Sequence, residues 1–255
     1  MTRLFTTGLL PAILASTVAC GSGSTNNTPA GPPPPTVSPV DAATAGSVTG
    51  RISFEGVPPN PSILRMDSDP NCVQSGPPAM DELVVVSDNG ALQNVFVYVK
   101  DGLGDLRFPI PATPVLLDQQ GCRYVPHVLG VQVGQRLEVL NSDQTLHNVH
   151  AAPTANQEFN TGQPLAGMKH THQFSTVEVM VPFKCDVHNW MNAYVGVLDH
   201  PYFAVSAADG TFSLQGLPPG TYTVEAWHET LGTQTQTVTI GPSETQEITF
   251  TFASA

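Results

Sequence analysis

Apolar and polar positions alternate along most of this 255-residue chain, the spacing that places every second side chain on one face of a β-strand. Val48 and Arg51-Ile52-Ser53-Phe54 read as a first strand, followed by the turn Gly56-Val57-Pro58-Pro59. Residues 60–80 are Pro-rich and irregular. Residues 83–86 and 95–99 read as two further strands separated by the turn Asp88-Asn89-Gly90. Residues 112–199 alternate most clearly. Val131, Val133, Leu137 and Val139 mark one face of a strand leading to Asn141, and Val177, Val179, Val181, Phe183 and Cys185 mark one face of another. The second register puts the Cys185 sulfur on the buried side at the end of an apolar strand, and Ala193, Val195 and Val197 form the return strand. Further on, Asp209-Gly210-Thr211-Phe212-Ser213-Leu214, then 216–224, then Val238, Ile240, Ile248, Phe250 and Phe252 predict strands with one wet face.

Composition agrees with a strand-and-turn protein: 22 Gly, 24 Pro and only 12% charged residues. The length suffices for one or two domains with real cores, and no long-period repeat of the solenoid type is present. Residues 1–19 read as an export signal: Arg3 leads a mostly apolar or small run too short for a comfortable membrane span. Thr17-Val18-Ala19-Cys20 is similar to a bacterial lipobox, which predicts lipid at Cys20 and a protein held at the periplasmic or outer cell surface; Thr17 stands where Leu is usual. Residues 20–45, with Pro32-Pro33-Pro34-Pro35, predict a flexible tether. The formal charge is −12, and −13 without residues 1–19. That charge disfavours nucleic acid and favours a cationic docking partner, with solubility alone as the competing explanation.

The densest chemistry lies in Phe183-Lys184-Cys185-Asp186-Val187-His188-Asn189-Trp190-Met191, which offers a thiolate, an imidazole and a thioether within one turn. Leu146-His147-Asn148-Val149-His150 offers a second imidazole. Two His and one Cys with a weak axial Met is the donor set of a blue-copper electron-transfer site. The candidate ligands are His147, Cys185, His188 and Met191, for one copper ion cycling between Cu(I) and Cu(II). With Cys20 lipidated and Cys185 on metal, Cys72 and Cys122 remain to bridge in an oxidising compartment.

Residues 114–198 resemble the cupredoxins, amicyanin and pseudoazurin most closely. The resemblance lies in Val131-Gln132-Val133-Gly134-Gln135, Leu140-Asn141-Ser142-Asp143, His147-Asn148-Val149-His150 and the Cys185-x-x-His188-x-x-Met191 loop. It implies a Greek-key β-sandwich, outer-sphere electron transfer, and a role for Asn148 in tying the first His segment to the Cys loop. The chain lacks the Pro that those loops often carry beside the second His. Gly46-Ser47-Val48-Thr49-Gly50-Arg51-Ile52 and residues 209–224 resemble a carboxypeptidase-regulatory-like, prealbumin-type sandwich, a non-catalytic accessory in that family. The expected fold is therefore all-β: a Greek-key cupredoxin sandwich (112–199) plus a small prealbumin-like β-sandwich. The latter comprises a module at 200–255 and a segment at 46–111 that would complete it. A linear order of small β units is the competing arrangement.

The expected protein is a type 1 copper protein passing single electrons between redox partners, a cytochrome or a dehydrogenase, and acting as a monomer that meets membrane only through its lipid. A copper-sequestering or delivery module would use the same ligands, and a structural lipoprotein would need none. Zinc in a structural site favours closed Cys and His sets without Met, and a dinuclear copper centre would need a second Cys in the loop. No Gly-x-Ser-x-Gly elbow, phosphate loop or dinucleotide fingerprint is present, and His228-Glu229-Thr230-Leu231-Gly232 lacks the second His of a zinc-protease helix. These absences favour a carrier over an enzyme. His150 reads as a surface residue, His170 and His172 as a solvated loop, and His127, His200 and His228 as structural. Trp190 fits either a core filler or an exposed rim around His188, the expected electron exit.

Overall fold

The structure, a computed structural model, describes residues 40–73 and 77–254. Cys20, the export signal and most of the tether lie outside the described residues. Among the described residues there is no helix. The strands are β1 (Gly46–Glu55), β2 (Phe96–Asp101), β3 (Val115–Gln119), β4 (Tyr124–Val125), β5 (Val128–Gln132), β6 (Leu137–Asn141), β7 (His147–Ala151) and β8 (Phe159–Gln163). They continue as β9 (Lys169–His172), β10 (Glu178–Lys184), β11 (Asn192–Leu198), β12 (Phe203–Val205), β13 (Thr211–Leu217), β14 (Gly220–His228), β15 (Gly232–Ile240) and β16 (Thr245–Ala253).

Strands β3 to β11 pair only with one another, in sheets ordered β5-β11-β10-β7-β8 and β4-β3-β6-β9. Their inward side chains form one core, including Leu117, Tyr124, Val131, Val139, Val149, Val181, Phe183 and Val195. The remaining strands form sheets β13-β1-β16 and β12-β2-β14-β15 around a second core, with Val48, Ile52, Val97, Leu214, Val224 and Phe250. In β1 the alternation of Val48, Ile52 and Phe54 with polar neighbours puts the apolar members inside. This strand lies antiparallel to β13 and parallel to β16, so segments before and after the central block share one sheet.

The seam between the sandwiches is a third, small cluster of Phe96, Tyr98, Val128, Met180 and Leu198, with Phe203 and Trp227 against it. Gly130 and Gly196 are register partners across β5 and β11. A side chain at Gly196 would run into the Phe96 ring, and one at Gly130 into Phe203 and Phe96. The two glycines therefore make the flat spot on which those rings lie, Phe96 and Phe203 stacking with centroids 5.7 Å apart.

Three strand expectations change. Residues 83–86 form no strand: Val86 makes an isolated bridge to Leu92 across the Ser87–Gly90 turn, where the Asn89 side chain is held by the Ser87 hydroxyl. The face drawn through Val131, Val133, Leu137 and Val139 belongs to two strands, β5 and β6, because Gly134 turns the backbone at φ +79° between them. The face drawn from Val177 to Cys185 holds only from Val181 onward. Met180 at φ +66° and the irregular register between Glu178 and Val181 rotate the strand, leaving Val177 exposed and turning Met180 into the seam.

Gly196→Ala is expected to cost about 1–3 kcal/mol, measured by chemical denaturation, because the added methyl must displace the Phe96 ring. Gly162→Ala, whose methyl meets open space, should stay within about 0.5 kcal/mol of the parent.

Candidate metal centre

β7 and β10 are antiparallel neighbours, Lys184 opposite His150 and Phe183 opposite Ala151. Continuing that register carries residue 185 towards the start of β7, where His147 stands. The loop from Cys185 to β11 closes on itself: the Met191 N–H donates to the His188 carbonyl (2.9 Å) and the Cys185 N–H to the Met191 carbonyl (3.2 Å). One sheet end thus collects His147, Cys185 and His188, whose ligand atoms all lie within 4.8 Å of one another. The three are 0%, 2% and 2% exposed. Met191 is buried in the same core cluster as Cys185.

The two imidazoles meet through their Nδ1 atoms, 2.9 Å apart, and the Cys185 sulfur lies 3.9 Å from His188 Nδ1. Each ring is anchored at its far nitrogen. His147 Nε2 donates to Asp143 Oδ2 at 2.9 Å, and His188 Nε2 donates to Asp69 Oδ2 at 3.1 Å. A carboxylate on Nε2 fixes the tautomer and leaves Nδ1 facing the sulfur, the arrangement by which outer groups orient metal-binding histidines. Asp143 is itself held by the backbone N–H groups of Gly121 and Cys122, both at 2.8 Å. Asp69 accepts the Thr145 hydroxyl at 2.6 Å and the Asn71 N–H at 2.8 Å.

Asn148 joins the two ligand segments. Its Oδ1 accepts the Asp186 N–H at 2.6 Å and the Cys185 thiol at 3.3 Å, while its own N–H points at Cys185 Sγ from 3.5 Å. Its Nδ2 donates to Asn160 and to the exposed Asp186 carboxylate. That carboxylate also takes Asn160 Nδ2 (2.7 Å) and His150 Nδ1 (2.9 Å), so it faces away from the sulfur beside it in sequence.

The charges are mutually dependent. Burial disfavours an ionised Cys185, yet the His147 ring and the N–H groups of Asn148, His188 and Val187 outweigh it and pull the thiol below its ordinary value. Burial likewise opposes charge on His147, but Asp143 and the Cys185 sulfur prevail and raise it to about 9. At His188 burial and the neighbouring His147 win over Asp69, and its pKa falls. The two facing Nδ1 atoms therefore belong to rings of unequal basicity, His147 raised and His188 lowered. Asp69 is held at about 2, chiefly by Thr145 and the Asn71 N–H.

Cys72 and Cys122 are joined by a disulfide. Cys72 Sγ lies 3.7 Å from His188 Nε2. Two further groups of donor-type atoms lie within 4.8 Å, Asp69-Cys72-His188 and Cys122-Asp143-His147, but each includes a sulfur already spent in the disulfide. The outer edge of His188 is thus covered, contrary to its expected place as an exposed electron exit. The cause is that Asp69 and Cys72 lie on that edge. Trp190 is half-buried: its indole N–H donates to the Cys122 carbonyl (3.0 Å) and its ring lies 5.0 Å from that of His188.

The other histidines lie elsewhere. His150 is partly exposed and bonded to Asp186 and Glu158. His170 and His172 occupy strand β9, not a solvated loop; both rings stack on Phe159, at 4.8 and 4.3 Å, which pins the segment to the sheet edge. His127 is buried against Glu229 at 2.5 Å, His200 Nε2 donates to the Val99 carbonyl, and His228 Nδ1 accepts the Thr230 and Leu231 N–H groups of the β14–β15 turn. Asp143 and Asp69 escaped the sequence reading. Asp143 precedes His147 by one four-residue step, whereas Asp69 carries no local signal.

Residues 191–253 match the family Carboxypeptidase regulatory-like domain, a span that contains the motif at 209–224 and not the one at 46–52. No curated protein matches the chain. Among solved structures it is similar to a copper-containing nitrite reductase from Thermus scotoductus SA-01 (19% identity, 37% of this chain and 24% of that one, TM-score 0.33). It is similar to an amicyanin variant in its Cu(I) form (20% identity, 34% and 85%, TM-score 0.30). It is also similar to a purple cupredoxin from Nitrosopumilus maritimus (23% identity, 34% and 99%, TM-score 0.28). The chain spans about a quarter of the nitrite reductase's length.

Proposed function

We propose that this protein is a type 1 copper electron carrier, with His147 and His188 giving nitrogen, Cys185 the thiolate and Met191 a weak axial sulfur. The observation that carries the reading is the pair of inward Nδ1 atoms, 2.9 Å apart beside Cys185 Sγ, each imidazole fixed from behind by a carboxylate. The donor set fits copper: soft sulfur suits Cu(I), imidazole suits Cu(II), and a buried thioether belongs to such sites and not to closed structural zinc sites.

Copper held there would supply a one-electron couple. The chain's own residues do the rest. Asp143, Asp69 and Asn148 hold the donors in one arrangement, so little rearrangement accompanies a change of charge. The apolar core around Cys185 keeps water from the sulfur. Trp190, partly exposed and 5.0 Å from His188, gives the site an aromatic route towards the surface. The acidic chain, −12 overall, favours a partner with a cationic docking face, such as a cytochrome or a dehydrogenase. Burial of all three His and Cys donors favours a retained ion over delivery of copper to another protein.

The copper-loaded protein should be intensely blue to green from a sulfur-to-copper charge-transfer band, and Cys185→Ser should abolish the colour. Stoichiometric copper binding with no such band in the parent protein would contradict the carrier reading.

We also propose export and lipid anchoring at Cys20, supported by Thr17-Val18-Ala19-Cys20 and by a disulfide that suits an oxidising compartment. Mass spectrometry of membrane-extracted protein should find a mature chain beginning at residue 20 with acyl mass on its first peptide, and Cys20→Ala should release the protein from membranes. A mature chain starting elsewhere without lipid would refute the anchor.

A further inference from the structure

We infer that residues 62–73 form a stapled cover over the metal centre, in which Asp69 positions His188 and the Cys72–Cys122 disulfide holds Asp69 there; the link to metal rests on the carrier reading, while the cover itself does not. The segment is fastened at three places. At its base Ile63 bridges to Met80, the Leu64 N–H donates to the Ala79 carbonyl (2.8 Å) and the Asp81 N–H to the Ser62 carbonyl (2.9 Å). In its middle Met66 is buried in the core that surrounds Cys185. At its tip the chain turns through the Asp69 carbonyl, which accepts the Cys72 N–H (2.9 Å), and the disulfide ties Cys72 to Cys122.

Two atoms of this segment cap His188 Nε2: Asp69 Oδ2 at 3.1 Å and Cys72 Sγ at 3.7 Å. With Nδ1 turned to His147, both nitrogens of His188 are occupied, and the residue is 2% exposed although its neighbours Val187 and Asn189 are exposed. The staple also closes a ring through the site. Cys122 donates its N–H to Asp143, which orients His147, and accepts the Trp190 indole N–H through its carbonyl. One covalent bond thus fixes the orienting carboxylates of both imidazoles. Cutting it frees the tip of the cover while the base and Met66 stay attached, a local opening and not a global one.

The staple opens with an external dithiol. The Cys72–Cys122 bond takes two electrons and two protons to give two thiols, and the dithiol closes to its own disulfide. Metal exchange should then accelerate, because His188 loses the two groups that cap its Nε2.

The first arm uses metal-free protein. Diethylpyrocarbonate should modify His188 far more slowly than the partly exposed His150, both read by peptide mapping. In the dithiol-reduced protein and in a Cys72→Ala/Cys122→Ala double variant, His188 modification should accelerate at least about tenfold, with far-UV circular dichroism unchanged. Asp69→Ala should raise it with the disulfide intact, and Asp69→Asn, which keeps an oxygen to accept the Nε2 proton, should restore protection. The second arm loads cobalt(II), which dithiols do not reduce, and follows its optical bands under excess chelator. Loss should be slow with the staple closed, at least about tenfold faster once open, and slow again after reoxidation. Equal His188 modification in intact and opened protein, within about twofold, would overturn the cover. Protection without any metal uptake would retain the cover and remove the carrier reading.

Discussion

The site depends on two imidazole rings meeting nitrogen to nitrogen inside a core that supplies one sulfur. Two Nδ1 atoms at 2.9 Å, buried, cannot both be protonated and cannot both be left as bare lone pairs at low cost. In this chain the conflict is resolved by carboxylates on the opposite edges. Asp143 makes His147 the more basic ring, and burial and its neighbour make His188 the less basic one. The same arrangement prepares the site for a cation: both lone pairs and a readily ionised thiol converge on one small volume.

The wider fold serves that end of the sheet. β7 and β10 pair with Phe183 opposite Ala151, a register that buries Val149, Ala151, Val181 and Phe183 together and that a one-residue slip would break. Asn148 then joins the strands at the point where the ladder stops, with its side-chain oxygen doing for the Cys185–Val187 turn what a third strand would do. The second sandwich contributes no ligand. It leans on the far part of β5 and β11 through Phe96 and Phe203, on the flat spot that Gly130 and Gly196 provide. Asp69 and Cys72, which lie in sequence between β1 and β2, reach the candidate metal centre, so the outer strands and that end of the inner sandwich are joined by side-chain contacts as well as by chain.

Much of this was legible in the residues, for identifiable reasons. The Cys185-x-x-His188-x-x-Met191 spacing is a local property of one loop, and the alternation through Val181 and Phe183 sets the side on which the sulfur falls. The pairing of Cys72 with Cys122 followed from what the other two cysteines were expected to do. What local pattern could not carry was the cover. Asp69 reaches His188 across 119 positions, from a Pro-rich stretch whose irregularity hides any face. The strand errors have the same origin: Gly134 and the positive φ of Met180 rotate the backbone, and period-two counting passes through such points unchanged. His170 and His172 look polar in sequence but are pinned by Phe159, a partner outside their strand.

X-ray absorption at the copper edge of the loaded protein tests the central claim most directly, because it reads the donors themselves. The account predicts one short copper–sulfur vector and two imidazole nitrogens, with the sulfur vector lost in Cys185→Ser and one imidazole lost in His147→Ala. A first shell of nitrogen and oxygen alone, or one unchanged by either substitution, would contradict it.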